Sequence, residues 1–347
     1  MIDQATTRPT AMAQEIREAP QAIARFFDLE MANLRNTVRY AAERRPGVVV
    51  TCARGSSDHA ATYFKYLMEI LLGIPVASMG PSIASLYQAP LRLAGGVMIS
   101  ISQSGRSPDI VSLQASARAA GAFTIAAVND VGSPLARGAD AVLPFHSGVE
   151  RSVAATKTFL SSAAILAALV AEWRGDALLA KAARALPEAL AKAVDADWSE
   201  ALPVLSGAHS AYAVGRGPAV AIAAEAALKL KETASLHAEA FSGAEVMHGP
   251  VQLVESGFPV IAFRPADAAF DAMGEAVAHL EGTGARVFVA EPGMPRPGRL
   301  PLSPSGHALL DPLVMLASFY ILAEQVSRAR GHDPDRPNRL RKITETK

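Results

Sequence analysis

The stretch that decides the fold is GGVMISISQSGRSPDI, at residues 95–110. It begins with the apolar run GGVMI, and a helix-like run, SLQASARAAGA, follows its end. Between them lies a loop rich in hydroxyl groups, made by Ser100, Ser102, Ser104 and Ser107 around Gly105. A strand that passes into a helix through such a loop is typical of an open α/β sheet, whose ligands bind at this edge.

The same alternation of strands and helices continues on both sides of this stretch. The predicted strands are apolar runs without polar alternation, which suits parallel strands that are buried on both faces. Strands that alternate with helices predict a doubly wound parallel sheet. The runs lie at residues 47–53, 95–102, 123–130 and 139–145.

The pattern restarts after a long helical region, rich in alanine and leucine, at about residues 153–197. The segment 210–217 resembles 47–55, 257–263 resembles GGVMISI, and 284–292 resembles the run that begins at residue 123. The three pairs share an offset of roughly 160 residues, which is the size of a domain. We therefore predict a duplicated α/β domain. The second copy lacks the hydroxyl-rich loop and has FRPA at Phe263–Ala266, so the duplication does not predict two equal sites.

The predicted fold class is α/β, with two tandem domains that each contain a doubly wound, mostly parallel five-stranded sheet between layers of helices. The predicted divisions are a helical lead-in at 1–45, a first domain at 46–175, a helical linker at 176–200, a second domain at 201–330 and a tail at 331–347.

Composition excludes several classes of function. The chain has 347 residues and no net charge, so it lacks the basic excess of a dedicated nucleic-acid binder. It has no apolar run long enough to span a bilayer and no signal peptide, which predicts a cytoplasmic protein without a membrane partner. The single cysteine, Cys52, ends an apolar run and is predicted to be a buried strand residue rather than a nucleophile.

Two loops of the first domain are candidate phosphate-binding elements. In the loop after residue 100, hydroxyls, a close-approaching glycine and the N-terminus of the next helix are the groups that cradle a phosphate. The segment GSSDHA, residues 55–60, occupies the equivalent position after another strand. An ordinary serine-rich turn with helix caps remains an equal alternative on spacing alone.

The segment KLKETASLHAEAFSGAEVMHGP, residues 229–250, gathers lysine, glutamate and histidine side chains. A carboxylate together with a histidine suits acid–base chemistry on a sugar, and a solvated helix face is the alternative. His237 and Glu239 are two residues apart, which is poor spacing for shared ligation on one helix face. We expect no metal site and no cofactor.

Together, SQSGRSPD, VAATK (153–157), KLKE…HAEA…HGP and DRPNRLRK make the sequence resemble the sugar isomerase (SIS) family. More closely, it resembles the isomerase half of glutamine–fructose-6-phosphate aminotransferase. The resemblance extends from Gly47 to Lys347 and implies that both domains are SIS domains.

The resemblance implies roles for particular residues. Glu232 would move a proton between C1 and C2 of an open-chain sugar, and Lys342 would form a Schiff base with the ketose, which requires a lowered pKa. His248 would open the sugar ring in the site of a neighbouring subunit, which implies a homodimer. The tail would fold over the site as a lid. The residues that would bind the sugar and its phosphate are Ser57, Ser102, Gln103, Ser104, Ser107, Val153 and Ala154.

The sequence departs from that aminotransferase in its CARGSS loop (residues 52–57) and at Arg106, and we expect no glutaminase domain. The expected activity is therefore that of a phosphosugar isomerase and amino-sugar-phosphate deaminase, which interconverts glucosamine-6-phosphate with fructose-6-phosphate and ammonia. The alternatives are an aminotransferase-like protein without glutaminase, a plain isomerase, a fructosamine-phosphate deglycase, and a non-catalytic sugar-phosphate sensor. The identity of the sugar and the roles of Arg54 and Arg106 stay open.

Overall fold

Part of the stretch 95–110 forms strand β3, Val97–Ser102, which lies at the centre of a parallel sheet. A computed structural model describes residues 9–294, 296–340 and 342. In these residues the first sheet has the order β2-β1-β3-β4-β5, and every pairing is parallel. All residues of β3 are buried because helices cover both faces. Its neighbours in chain order are β1 Val49–Cys52, β2 Val76–Ser78, β4 Phe123–Val128 and β5 Ala141–Pro144.

The second sheet repeats this arrangement. Its order is β10-β9-β8-β6-β7, so β6 and β8 take the central places that β1 and β3 hold in the first sheet. All five strands are again parallel over the described residues. This topology confirms the predicted α/β fold with two five-stranded sheets. The strands are β6 Ser210–Gly215, β7 His237–Ser242, β8 Pro259–Phe263, β9 Arg286–Ala290 and β10 Arg299–Leu300.

Helices connect the strands and cover the sheets. The first part of the described chain contains α1 Ala11–Glu43, α2 Ser56–Leu72, α3 Ser82–Ser85, α4 Pro108–Ala119, α5 Pro134–Arg137 and α6 Lys157–Arg174. The second part contains α7 Ala177–Ala193, α8 Leu202–Gly207, α9 Ala219–Ala234, α10 Phe270–Gly282 and α11 Asp311–Ala329. The predicted helical region at 153–197 therefore consists of α6 and α7.

Helices between the sheets form the centre of the core. In α6, every residue from Lys157 to Ala171 is buried, which explains why the helix is apolar on all sides. It packs against α1 and α2, while α9 packs against α2 and α11, so one continuous apolar cluster includes residues of both halves. Within the ranges described, no helix is both long and apolar enough to cross a membrane.

Gly105 fixes the path of the loop between β3 and α4. Its φ is +60°, its N–H donates to the Ser102 hydroxyl at 3.0 Å, and its carbonyl accepts from Leu135 N. A Cβ at this position would lie 2.1 Å from Oγ of Ser133, which is fully buried. Both the left-handed backbone and the lack of space require glycine here.

We expect Gly105→Ala to lower the free energy of unfolding by about 2 kcal/mol or more, because the new methyl group adds a steric collision to the backbone strain. Gly175 is the matched control, since its φ is +71° and no atom lies within 4 Å of its would-be Cβ. Gly175→Ala should cost only about 1 kcal/mol. Urea unfolding measures both, and equal losses would contradict the steric argument.

Candidate active site

The two hydroxyl-rich loops meet at one edge of the first sheet. Strands β1 and β3 are parallel neighbours, with Cys52 opposite Ser100, so the loops that follow them leave the sheet side by side. They form a cavity of about 360 Å³. Its lining includes Arg54, Gly55, Ser57, Ser102, Gln103, Ser104, Ser107 and Lys342. The structure thus brings five of the seven residues proposed to bind the sugar and its phosphate to one cavity, together with Lys342.

The serine hydroxyls around this cavity contribute little to capping the helices that follow the two loops. Ser107 lies at the N-cap of α4, and Gly55 holds the N-cap of α2, but neither cap has a side-chain hydrogen bond within the described part of the chain. Ser102 instead accepts from Gly105 N, and Ser104 accepts from Arg106 N at 3.3 Å. The hydroxyl of Ser107 and two helix N-termini are therefore available to an anion.

The tail returns to this cavity through Lys342. Its Nζ donates to Glu150 Oε2 and to the Ser152 carbonyl, both at 2.7 Å. Glu150 is buried and also accepts from Thr156 N at 3.1 Å and from the Thr158 hydroxyl at 2.8 Å. Burial by itself raises the pKa of the Glu150 carboxyl, but the Lys342 ammonium and the backbone N–H groups outweigh it and hold that pKa below its ordinary value.

A second attachment fixes the tail further upstream. The Asp335 carboxylate accepts from the first two N–H groups of α1, Ala11 N at 2.7 Å and Met12 N at 2.8 Å. Its carbonyl accepts from Val153 N at 3.2 Å. Val153 and the buried Ala154 thus lie on the loop that holds the tail, although neither lines the cavity of the two serine loops.

Glu232 is connected to the serine loops through a buried lysine. It ends the Lys-Leu-Lys-Glu segment of α9, and its carboxylate makes a short hydrogen bond with Lys229 Nζ. Lys229 is fully buried and also donates to the Ser56 hydroxyl at 3.1 Å, one residue before Ser57. Glu232 itself faces a separate cavity of about 720 Å³ between α9 and the tail.

Three further groups complete this network. Glu225 lies 3.5 Å from Lys229 Nζ, and it is bound by His59 Nδ1 at 2.8 Å and by the Tyr320 hydroxyl at 2.9 Å. Burial lowers the pKa of Lys229, but Glu225 and Glu232 outweigh this and raise it. Burial likewise raises the pKa of Glu225, but Lys229 and His59 hold it below its ordinary value. The network is therefore a set of charged partners that stabilise one another.

Sequence reasoning gave Lys229 no role and missed Glu225 and His59. The spacing of Glu225, Lys229 and Glu232, at i, i+4 and i+7, places the three on one helix face, and this signal was available. His59 belongs to α2, far away in the sequence, so only the fold brings it to Glu225.

His248 lies elsewhere. It is exposed in the 3-10 helix Glu245–His248 and lines neither cavity.

His237 and Glu239, which were interpreted on a helix, are exposed residues of the edge strand β7, so the helical interpretation was wrong there. Cys52 is a buried strand residue as predicted, and burial raises its pKa to about 12.

The second sheet has no equivalent cradle in the residues described. Arg264 follows β8 and Glu291 follows β9, and their side chains form an ion pair at 2.6 Å across the corresponding edge. Charged side chains of the chain itself occupy the place that the hydroxyl loop holds in the first half. This agrees with the expectation that the two halves are not equal sites.

Residues 44–172 and 204–289 match the family model of the SIS domain. The chain belongs to the SIS family. The first matched segment contains all of β1 to β5, and the second contains β6 to β8 and most of β9. The family match and the repeated sheet topology confirm the tandem SIS architecture that the motifs predicted.

Alignments with curated relatives cover most of the chain. The glutamine–fructose-6-phosphate aminotransferase (isomerizing) of Aeropyrum pernix is 36% identical, and the match covers 96% of this chain and 57% of that protein. The chain spans about half the length of the curated relatives it matches. A crystal structure from Silicibacter pomeroyi, of a protein assigned as a phosphosugar isomerase, is 45% identical with a TM-score of 0.90, covering 94% of this chain and all of that one.

A more distant structure has the same fold. The glucosamine-6-phosphate deaminase of Thermotoga maritima is 21% identical, with a TM-score of 0.77, and the match covers 97% of this chain and 100% of that one. At this identity the likeness concerns the fold alone.

The Glu150–Lys342 pair predicts a pH dependence of stability. Because the folded pKa of Glu150 lies below its ordinary value of 4.5, the pair stabilises the fold above about pH 4.5 and loses this effect as the pH falls through the lower folded value. We expect Glu150→Gln to cost about 2 kcal/mol at pH 7, and this cost should shrink below pH 4.5. Urea unfolding of wild type and variant between pH 3 and pH 8 measures this difference in the free energy of unfolding. The exposed Glu188 provides a control, since Glu188→Gln should change stability little at any pH.

Proposed function

We propose that the protein is a phosphosugar isomerase that converts glucosamine-6-phosphate, or a close analogue, and water to fructose-6-phosphate and ammonia. The observation that carries this proposal is the position of Lys342, which lines the same cavity as the serines of both loops. This chemistry needs one site that binds the phosphate at one end of the substrate and presents an amine to the reacting carbon at the other end.

In this proposal the cradle binds the phosphate and does no chemistry. Ser57, Ser102, Ser104 and Ser107 offer hydroxyl donors, Gln103 offers an amide, and the N-termini of α2 and α4 offer backbone N–H groups. Val153 and Ala154 hold the sugar from the loop that also carries Glu150. Anchoring the phosphate lets C1 and C2 be handled at the far end of the substrate.

Glu232 is the base in the isomerisation. After His248 opens the ring, the Glu232 carboxylate takes the proton from C2 and returns it to C1, so the C1 aldehyde becomes an alcohol and C2 becomes an imine. This C2 imine is the group that then reacts with Lys342. Lys229 holds the carboxylate in place through its hydrogen bond to Glu232 and its link to Ser56.

Lys342 is the amine that exchanges with the C2 nitrogen. Its ammonium group gives a proton to the imine nitrogen, and the neutral Nζ leaves Glu150 and attacks C2. Ammonia departs as the lysine Schiff base forms, and water then hydrolyses that Schiff base to the ketose and the free lysine. No step requires a metal or redox cofactor. The same steps in reverse add ammonia to fructose-6-phosphate, which relates this proposal to the aminotransferase named for the Aeropyrum relative.

The proposal includes a homodimer. His248 is exposed and lines neither cavity of its own chain, and an exposed histidine at that position is accessible to a second copy. The partner subunit's histidine would then complete each site.

Purified protein should release ammonia and fructose-6-phosphate in equal amounts from glucosamine-6-phosphate. Because the base is lost, Glu232→Gln should lower kcat by about 100-fold or more with little change in KM. Ser104→Ala should mainly raise KM because it removes a phosphate donor. A coupled assay for both products measures these effects. Binding without any turnover of the gluco, galacto or fructosamine phosphates would instead favour the sensor.

Two inactive variants should rescue each other if His248 acts across a dimer. Glu232→Gln and His248→Asn, mixed and allowed to exchange subunits, should regain about a quarter of wild-type activity, since half of the dimers are mixed and each has one intact site. A mixture that stays inactive, although gel filtration or native mass spectrometry shows mixed dimers, would place His248 in its own subunit's site.

A further inference from the structure

Arg54 is a charged side chain in a cavity otherwise built mainly from neutral donors. It follows β1 in the CARGSS loop and lines the cavity beside Ser57 and Ser104. Its Nη2 makes a short ion pair with the carboxylate of Asp109, and about half of its side chain is exposed. The guanidinium thus lies between a fixed acid and the open space of the cavity.

Asp109 provides a rigid anchor for this guanidinium. It lies in the first turn of α4 and is 1% exposed, and its other carboxylate oxygen accepts from Ile110 N at 2.9 Å. A guanidinium carries five N–H donors in a fixed plane. The bond from Nη2 to Asp109 orients the guanidinium, and its remaining donors have no hydrogen-bond partner among the described residues.

The charge around the cavity requires such a cation. A phosphate monoester carries nearly two negative charges, whereas the serine and glutamine donors are neutral and the amine of Lys342 is paired with Glu150. An unpaired Asp109 at the start of α4 would repel the phosphate. Arg54 neutralises this acid and adds a charged, planar donor set that matches phosphate oxygens.

We propose that Arg54 binds the phosphate group of the ligand directly, with Asp109 as its positioning residue. The inference rests on the proposed function only in taking the ligand to be a phosphate monoester. Arg54 would then provide a large part of the affinity for the phosphate, and the serine hydroxyls would set its orientation.

The chain offers a matched control in Arg106. It belongs to the other serine loop, is similarly exposed at 53%, and pairs with Asp130 at 2.7 Å. Its side chain does not line the cavity. Arg54→Gln and Arg106→Gln therefore remove the same charge from the same region, but only the first removes it from the binding site.

Calorimetry with inorganic phosphate and with fructose-6-phosphate tests the inference. Arg54→Gln should weaken binding of both about 10- to 100-fold and reduce its salt dependence, because a charge-assisted hydrogen bond is lost. Arg106→Gln should stay within about twofold of wild type, because its charge is outside the cavity. Equal affinities for the two variants would overturn the inference.

A double variant separates binding from neutralisation. Arg54→Gln with Asp109→Asn removes the buried acid together with its partner, so no unpaired charge remains to disturb folding. If Arg54 contacts phosphate, binding stays weak in the double variant. Recovery of wild-type affinity would show that Arg54 only neutralises Asp109 and would refute the proposal.

The two proposals fail in different ways. A wild-type protein that binds neither phosphate nor fructose-6-phosphate overturns both. Wild-type turnover of glucosamine-6-phosphate with unchanged phosphate affinity in Arg54→Gln overturns only the role of Arg54. Arg54-dependent binding without turnover supports the role of Arg54 and overturns the enzymatic proposal.

Discussion

The arrangement of the candidate site depends on the contacts of the buried ammonium group of Lys229. It is fully shielded from water, so it requires acidic partners, and it has them in Glu225 and Glu232 of its own helix. Its third contact, to Ser56, reaches the first residue of α2, beside the serine cradle. The cost of burying one charge therefore fixes where α9 of the second half lies against α2 of the first. It also links the candidate base Glu232, which faces a separate cavity, to Ser56 beside the serine cradle.

The duplicated fold supplies the scaffold, and its two halves have diverged in their use of it. Parallel strands place their carboxyl ends at one edge, where the first half carries hydroxyls and glycines. At the corresponding edge the second half carries the Arg264–Glu291 ion pair. Its contribution to the site comes instead from α9, while the tail adds Lys342. The candidate site of our proposal therefore draws its residues from both halves around a single cradle.

Much of the first sheet and of its ligand-binding edge could be predicted from local sequence. The apolar runs at 97–102 and 123–128 are buried strands, and the serine loop after the first of them lies at the ligand edge. The prediction was wrong at β7, where polar residues alternate with small apolar ones. Within the described residues this edge strand pairs with β6 alone and leaves His237 and Glu239 exposed, so it lacks the continuous apolar run of a central strand.

The sequence by itself determined most of the strand and helix order, the duplication, the hydroxyl-rich loops of the first half and the family, because these follow from periodicity, composition and ordered motifs. Only the tertiary structure decided which distant groups meet. His59 with Glu225, Lys342 with Glu150, and Arg54 with Asp109 are separated by 166, 192 and 55 residues. Such pairs are set by the packing of helices between two sheets and by the need of each buried charge for a partner. Neither leaves a periodic mark in the sequence.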